Sequence, residues 1–279
     1  MTASYLPHRF ARNVIGRAGA FVTEFFTTFR VREHAPSLGI VGAAAAVVAA
    51  FWVGIYLIDF VEIFGLTSDR GFWWHAFRNR GPVELIQWLI IATVVISSAL
   101  LSGMHMQRGE RSAHFFWLLV AIGFALMLIE DPGDPRHMLA AHFKNFWGTD
   151  HKWVEGTVFG IIVAPTIFAF LRYWSVPFRF PQTRLYLLAG GALYALAATT
   201  SLFRAQDEFY PRLGDRISAV IFSGEIGGFF VMDFIIEESV ELMAGAIFLA
   251  GVVMYGRLAR SGERDAGGPG EVPQDRSSV

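Results

Sequence analysis

The sequence predicts an all-α protein, a polytopic bundle of about six transmembrane helices with an amphipathic helix at its N-terminal end. Three observations carry this prediction. Of 279 residues, 54% are hydrophobic and only 17% are charged, whereas a soluble domain carries about 25% charged residues. Several stretches of about 20 residues are almost free of charge, and each can cross a hydrocarbon core roughly 30 Å thick. Once these stretches are laid out as spans, basic residues collect at one end of the bundle and acidic residues at the other.

Residues 1–37 are expected to form a cytoplasmic amphipathic segment. Arg9, Arg12 and Arg17 alternate with Phe10, Val14, Ala18, Phe21, Phe25 and Phe29. The apolar set recurs at steps of three and four, so a helix here has one apolar face and suits the membrane interface. The membrane domain is expected over 38–257. Its first span runs from Leu38 to Leu57, with apolar character continuing to Leu66. That run starts too far in and is too long for the core of a cleavable signal, so the span is expected to act as its own insertion signal.

The second span is expected from Val83 to His105 and the third from His114 to Ile129. Asp131-Pro132-Gly133-Asp134-Pro135 then ends the helix, because two prolines and a glycine do not sustain it. Residues 137–147 suit a short interfacial helix. The fourth span, Trp153 to Tyr173, contains Pro165, which kinks a spanning helix while its neighbours re-satisfy the freed carbonyl. The fifth span, Leu185 to Phe203, is rich in small residues: Gly190, Gly191, Ala192, Ala195, Ala197 and Ala198. Gly156 and Gly160 form a GxxxG pair in the fourth. Small residues let helix backbones approach closely, so both features are expected to mark packing. Residues 204–232 read as an external loop, with an interfacial or re-entrant piece at 217–232; the alternative is a seventh span. The last span is Phe234 to Gly256. The tail, 258–279, is Gly-, Pro- and charge-rich without an apolar period and is expected to be disordered.

Six spans divide the charges into two groups. The end holding both termini carries twice as many basic as acidic residues, and the opposite end nearly reverses this ratio. An excess of Lys and Arg marks the cytoplasmic side, which predicts a multi-pass protein of the cytoplasmic (inner) membrane with both termini inside. A seventh span would spoil the division.

The acidic residues sit mostly at helix ends: Asp59 and Glu62 after the first span, Glu84 at the start of the second, Glu130 and Asp131 at the end of the third, Glu155 at the start of the fourth, and Glu237, Glu238 and Glu241 at the start of the last. Counting back about 20 residues from Arg257 reaches Glu237, which puts Glu241 roughly 6 Å inside. A carboxylate facing lipid there costs a few kcal/mol, so it is expected to face the bundle interior, a vestibule or a cation. Glu237 and Glu241 are four apart and share a helix face, as do His151 and Glu155; Glu238 and Glu241, and Glu84 and Gln87, are three apart.

Three readings follow. In the first, Glu84, Glu130, Asp131, Glu155, Glu237, Glu238 and Glu241 form a cation or proton site, used for binding or for ion-coupled transport. Carboxylates crowded in low dielectric repel, so at least one holds its proton or binds a cation. In the second, His151, Glu155, Glu237 and Glu241 ligate a divalent metal ion for membrane-embedded catalysis, as carboxylate–histidine bundles do; no Glu-x-x-His, His-Glu-x-x-His or His-x-His occurs. In the third, the carboxylates are structural, favouring helix N-termini and pairing with Arg70, Arg78, Arg80, Arg136 and Lys144, and the protein is an assembly subunit of a membrane complex.

Other chemistry finds little support. There are no cysteines, so disulfides and thiolate sites are excluded. No Walker loop or G-x-G-x-x-G is present, so no nucleotide partner is expected, and basic residues too dispersed for a nucleic-acid surface argue against that partner as well. His75, His137, His142 and His151 lie towards the acidic end and read as interfacial. His105 and His114, at the other end, are expected to face headgroups. The many aromatics near span ends form an ordinary interfacial belt. The expected partners are the lipid bilayer and, through small-residue helix faces, a membrane protein or a second copy.

Overall fold

The computed structural model describes residues 31–63, 65, 71–78, 80–133, 135–148, 151–204 and 209–266. Most of these residues are helical, with no strand among them. The amphipathic helix expected before residue 31 and the tail from 267 onwards lie outside the described residues.

Helix α1, Val31–Ile55, starts before Leu38 and continues as a π-helical turn, Tyr56–Phe60. Short α2, Gly71–Phe77, follows. Asp59 accepts hydrogen bonds from the backbone N–H groups of Phe72 (2.5 Å) and Trp73 (2.9 Å), so this acid serves the orphan donors at the start of α2. Helix α3, Pro82–Gln107, and α4, Arg111–Gly133, match the second and third expected spans. Pro132 is held within the last turn of α4. The break expected from 131–135 therefore falls after Gly133, and α5, Pro135–Trp147, follows at once with Pro135 at its first position, where a missing N–H costs nothing.

Helix α6, His151–Arg172, carries Pro165, and α7, Pro181–Arg204, is the small-residue helix. Helix α8, Phe209–Ile221, has 13 residues, about 20 Å at 1.5 Å per residue, too short to cross a core of roughly 30 Å. The last helix, α9, is assembled from Gly228–Phe230, a π-helical stretch Val231–Ile236, and Glu237–Ala266. It starts before Phe234.

Five helical segments are long and apolar enough to cross a membrane: Glu33–Phe60, Gly71–Gln107, Arg111–Gly133, Trp153–Arg172 and Gly228–Ser261. Helix α7 is the sixth long helix. It packs along α9, which also contacts α1 and α3; α4 lies between α3 and α6, and α5 rests on α6. Helix α9 is thus the central post, and its span is the most buried of the five. Large apolar side chains such as Leu89, Ile96, Leu100 and Leu171 point outwards, as a bilayer rather than water requires.

Close backbone approach fixes α7 and α8 against α9. A Cβ on Gly190 would stand 2.7 Å from the Phe248 nitrogen, and one on Gly251 would stand 2.8 Å from Leu187. Gly214 of α8 faces the Gly228 backbone with no room for a side chain. There Asp215 Oδ1 accepts from the Gly228 N–H at 2.8 Å, and Ser218 Oγ donates to the Ile226 carbonyl. Gly156 and Gly160 behave differently from the sequence expectation. Nothing lies within 4 Å of where their Cβ atoms would stand, so this GxxxG pair marks no contact among the described residues.

The histidines at the basic end also depart from expectation. His105 is fully buried, 2.7 Å from Glu110 through Nδ1, and stacks edge-on with Tyr255. His114 is half-buried and within hydrogen-bond distance of Ser102 Oγ at 2.8 Å. Each ring has one partner near the α3–α4 connection, Glu110 for His105 Nδ1 and Ser102 for His114 Nδ1.

Candidate functional site

A cavity of about 750 Å³ opens between α6 and α7, floored by α3, α4 and α9. Its wall gathers Glu84 and Gln87 from α3, Glu130 and Asp131 from the end of α4, and Asp233, Glu237, Glu238 and Glu241 from α9. Arg136 of α5 closes the same end, and its Nε pairs with Glu130 Oε1 at 3.2 Å.

Each acid reaches this place for a local reason. Gly81 is extended, Pro82 opens α3 and Glu84 sits in its first turn, where a negative charge suits the helix dipole. Glu84 Oε2 accepts from the Arg80 backbone N–H. Glu130 and Asp131 occupy the wrong end of a helix for the dipole. The turn into α5 brings Arg136 over them, and Trp88 Nε1 donates to Asp131 Oδ2 at 2.7 Å. The π-helical stretch before Glu237 is of the kind that recurs at functional sites and carries Asp233 onto the same cavity wall. Tyr210 of α8 donates to Glu237 Oε2 at 2.8 Å, and Gln87 Nε2 donates to Glu241 Oε2 at 2.6 Å.

Not every polar group is satisfied from within the chain. Among the described residues, buried Glu238 Oε2 has no hydrogen-bond partner, nor do Gln87 Oε1, Tyr194 Oη and Thr166 Oγ1. All four residues line the cavity. Unsatisfied buried polar atoms are costly, and these four give the cavity wall unused hydrogen-bonding capacity.

The spans that share the site differ in part from those paired in the sequence. Glu84 of the second span, Glu130 and Asp131 of the third, and Glu237, Glu238 and Glu241 of the last line one cavity. Glu155 of α6 is not among the lining residues, and the His151 side chain lies outside the described residues. Among the described residues, no three His, Asp or Glu side chains converge as a metal-binding group. Asp233, Tyr194 and Thr166 were not singled out in the sequence. Tyr194 carried a signal: it is a phenol set among Gly and Ala in mid-span.

The arrangement is seven carboxyl groups facing one guanidinium across a water-sized-to-ligand-sized space. It can hold protons or a cation, and it opposes an anion. No protein-family model, curated protein or solved structure matches the chain.

Proposed function

We propose that the protein binds a cation or protons in this cavity and uses that binding in ion-coupled movement of a small solute across the cytoplasmic membrane. The observation that carries the reading is the convergence of acids from three spans on one cavity in which Glu238 Oε2 has no partner among the described residues. Carboxylates crowded away from water repel each other, and a proton or cation relieves the repulsion. The excess of Lys and Arg around the termini supports a cytoplasmic location for both and an extracytoplasmic mouth for the acidic end. Arg136, Tyr210, Trp88 and Gln87 neutralise or hydrogen-bond Glu130, Glu237, Asp131 and Glu241, so Glu238 is the first group assigned to the exchangeable charge, with Glu241, three residues on along the same helix, as its neighbour.

Trp88 reports on the site, because its indole N–H is bound to Asp131. The test titrates purified protein with Na⁺, with Ca²⁺ and with acid at constant ionic strength, following tryptophan fluorescence with Trp88→Phe as the reference. A saturable change is expected for at least one titrant in the native protein. It is expected to vanish in Glu238→Gln/Glu241→Gln protein that keeps its helical circular dichroism. Identical titrations of native and variant protein would remove the reading.

A further inference from the structure

We infer that the cavity takes its ligand sideways from the bilayer, between α6 and α7, and that this ligand is a cationic amphiphile: an amine head among the carboxylates and one apolar chain along the groove. The inference rests on the cation-site reading and gives that site a substrate class.

The cavity is too large and too apolar for an inorganic cation alone. Its volume of about 750 Å³ falls in the roughly 300–1,000 Å³ range of sites that enclose one organic ligand. Away from the acids, its wall is apolar, with Phe124, Phe159, Ile162, Phe170 and Leu187 among the lining residues. From Phe159 to Leu171 on α6, and from Leu187 to Thr199 on α7, the lining rises about 18 Å at 1.5 Å per residue. That is close to one leaflet's share of a hydrocarbon core roughly 30 Å thick.

The wall also reaches the outer surface. Ile167, Leu171 and Leu188 line the cavity and yet are 53%, 77% and 42% exposed. Helix α6 is held by α4 and α5, and α7 by α9, so the mouth between α6 and α7 opens along apolar helix flanks. A water-soluble ion gains nothing from such a route; a molecule already dissolved in lipid does. On the α7 side the lining includes the small residues Gly191, Ala192 and Ala195, which take little of the space between the helices.

Charge complementarity selects the head. One guanidinium, already paired with Glu130, faces seven carboxyl groups, so a phosphate or carboxylate head is repelled. An ammonium carries up to three donors. Gln87 is 2% exposed, and among the described residues its Oε1 lacks a partner, as does Glu238 Oε2 in the lining of the same cavity. These are the acceptors such a head requires. Because the chain leaves one hydrocarbon phase for another, binding from the bilayer is governed by the head and by the fit of the groove rather than by chain hydrophobicity.

The test uses the full-length protein in lipid nanodiscs with dodecylamine, dodecanol, dodecanoate and butylamine as probes, counting bound ligand by native mass spectrometry. Dodecylamine is expected to bind at one per chain, at least tenfold tighter than any of the other three. Ala195→Trp, which fills the groove, is expected to weaken dodecylamine at least tenfold, while the Na⁺, Ca²⁺ or acid titration of Trp88 is read separately on native protein. Glu238→Gln/Glu241→Gln is expected to abolish both. Dodecanol or butylamine binding as well as dodecylamine would overturn the inference on native protein alone, whether or not any variant folds. An unchanged affinity in Ala195→Trp would overturn it too, as would a protein that binds no dodecylamine and forms a dimer that Ala195→Trp dissociates, which would assign the groove to a second copy. An ion or acid titration that survives any of these failures leaves the cation site standing; loss of every titration removes both.

Discussion

Gln87 and Glu241 join α3 to α9 at the cavity floor, with Gln87 Nε2 donating to Glu241 Oε2 at 2.6 Å. The same amide leaves its Oε1 buried and without a partner among the described residues, so one side chain both holds a carboxyl group and lines the cavity.

Replacing Gln87 with Leu removes the donor and strands Glu241. The expected loss is about 1–3 kcal/mol, the cost of leaving a buried polar group unsatisfied. Denaturant unfolding in detergent measures it. Adding Glu241→Leu to Gln87→Leu is expected to recover part of the loss, since removing both partners costs less than removing one.

Arg136 and Glu130 make a mostly buried pair across the α4–α5 turn, with side chains 16% and 17% exposed. Arg136→Ala leaves Glu130 facing the other acids and is expected to cost about 2–5 kcal/mol, as for other truncated buried charge pairs. The Arg136→Ala/Glu130→Ala double variant is expected to be more stable than Arg136→Ala alone. A double-mutant cycle with additive losses would show that the pair is not coupled.

The α8–α9 junction tolerates no side chain at Gly214. Gly214→Val is expected to destabilise by about 1–3 kcal/mol through overpacking. Gly156→Val and Gly160→Val, at positions open for 4 Å around, are expected to change unfolding midpoints far less. Equal effects at the three sites would contradict the packing described for α8.

Glu110 lies between α3 and α4, outside the spans. Burial pushes its carboxyl group up, but the hydrogen bond with His105 and the Arg179 guanidinium at 3.1 Å outweigh that and hold it below its ordinary value of 4.5. A carboxyl group whose folded value is depressed adds stability above its unfolded value and loses it as pH falls through the folded one. The unfolding midpoint is therefore expected to drop as pH is lowered below about 4.5, and Glu110→Gln is expected to flatten that part of the curve. Parallel curves for the two proteins would count against the contact.

The fold class was legible because crossing a bilayer leaves a strong trace: charge-free runs of span length and aromatic ends. Short helices were harder to read. Residues 71–77 become α2 because Asp59, in the preceding π-helical turn, reaches their free N–H groups, a contact that no local period announces. The 209–221 segment becomes a helix packed on the start of α9 through Gly214, Gly228 and Asp215, where the sequence suggested a loop with an interfacial or re-entrant piece further on.

Sequence by itself determined which segments are apolar enough for lipid and which acids lie near one end, because hydropathy and the 1.5 Å rise of a helix are properties of the chain alone. Tertiary structure decided which of those acids meet. Glu84, Glu130, Asp131 and Glu241 converge because α3, α4 and α9 are neighbours, whereas Glu155, equally well placed in depth, is off the cavity wall. Rotation of a helix about its axis and its choice of neighbours arise from contacts such as Gly190 on Phe248 and Gly251 on Leu187, and these join residues more than fifty positions apart.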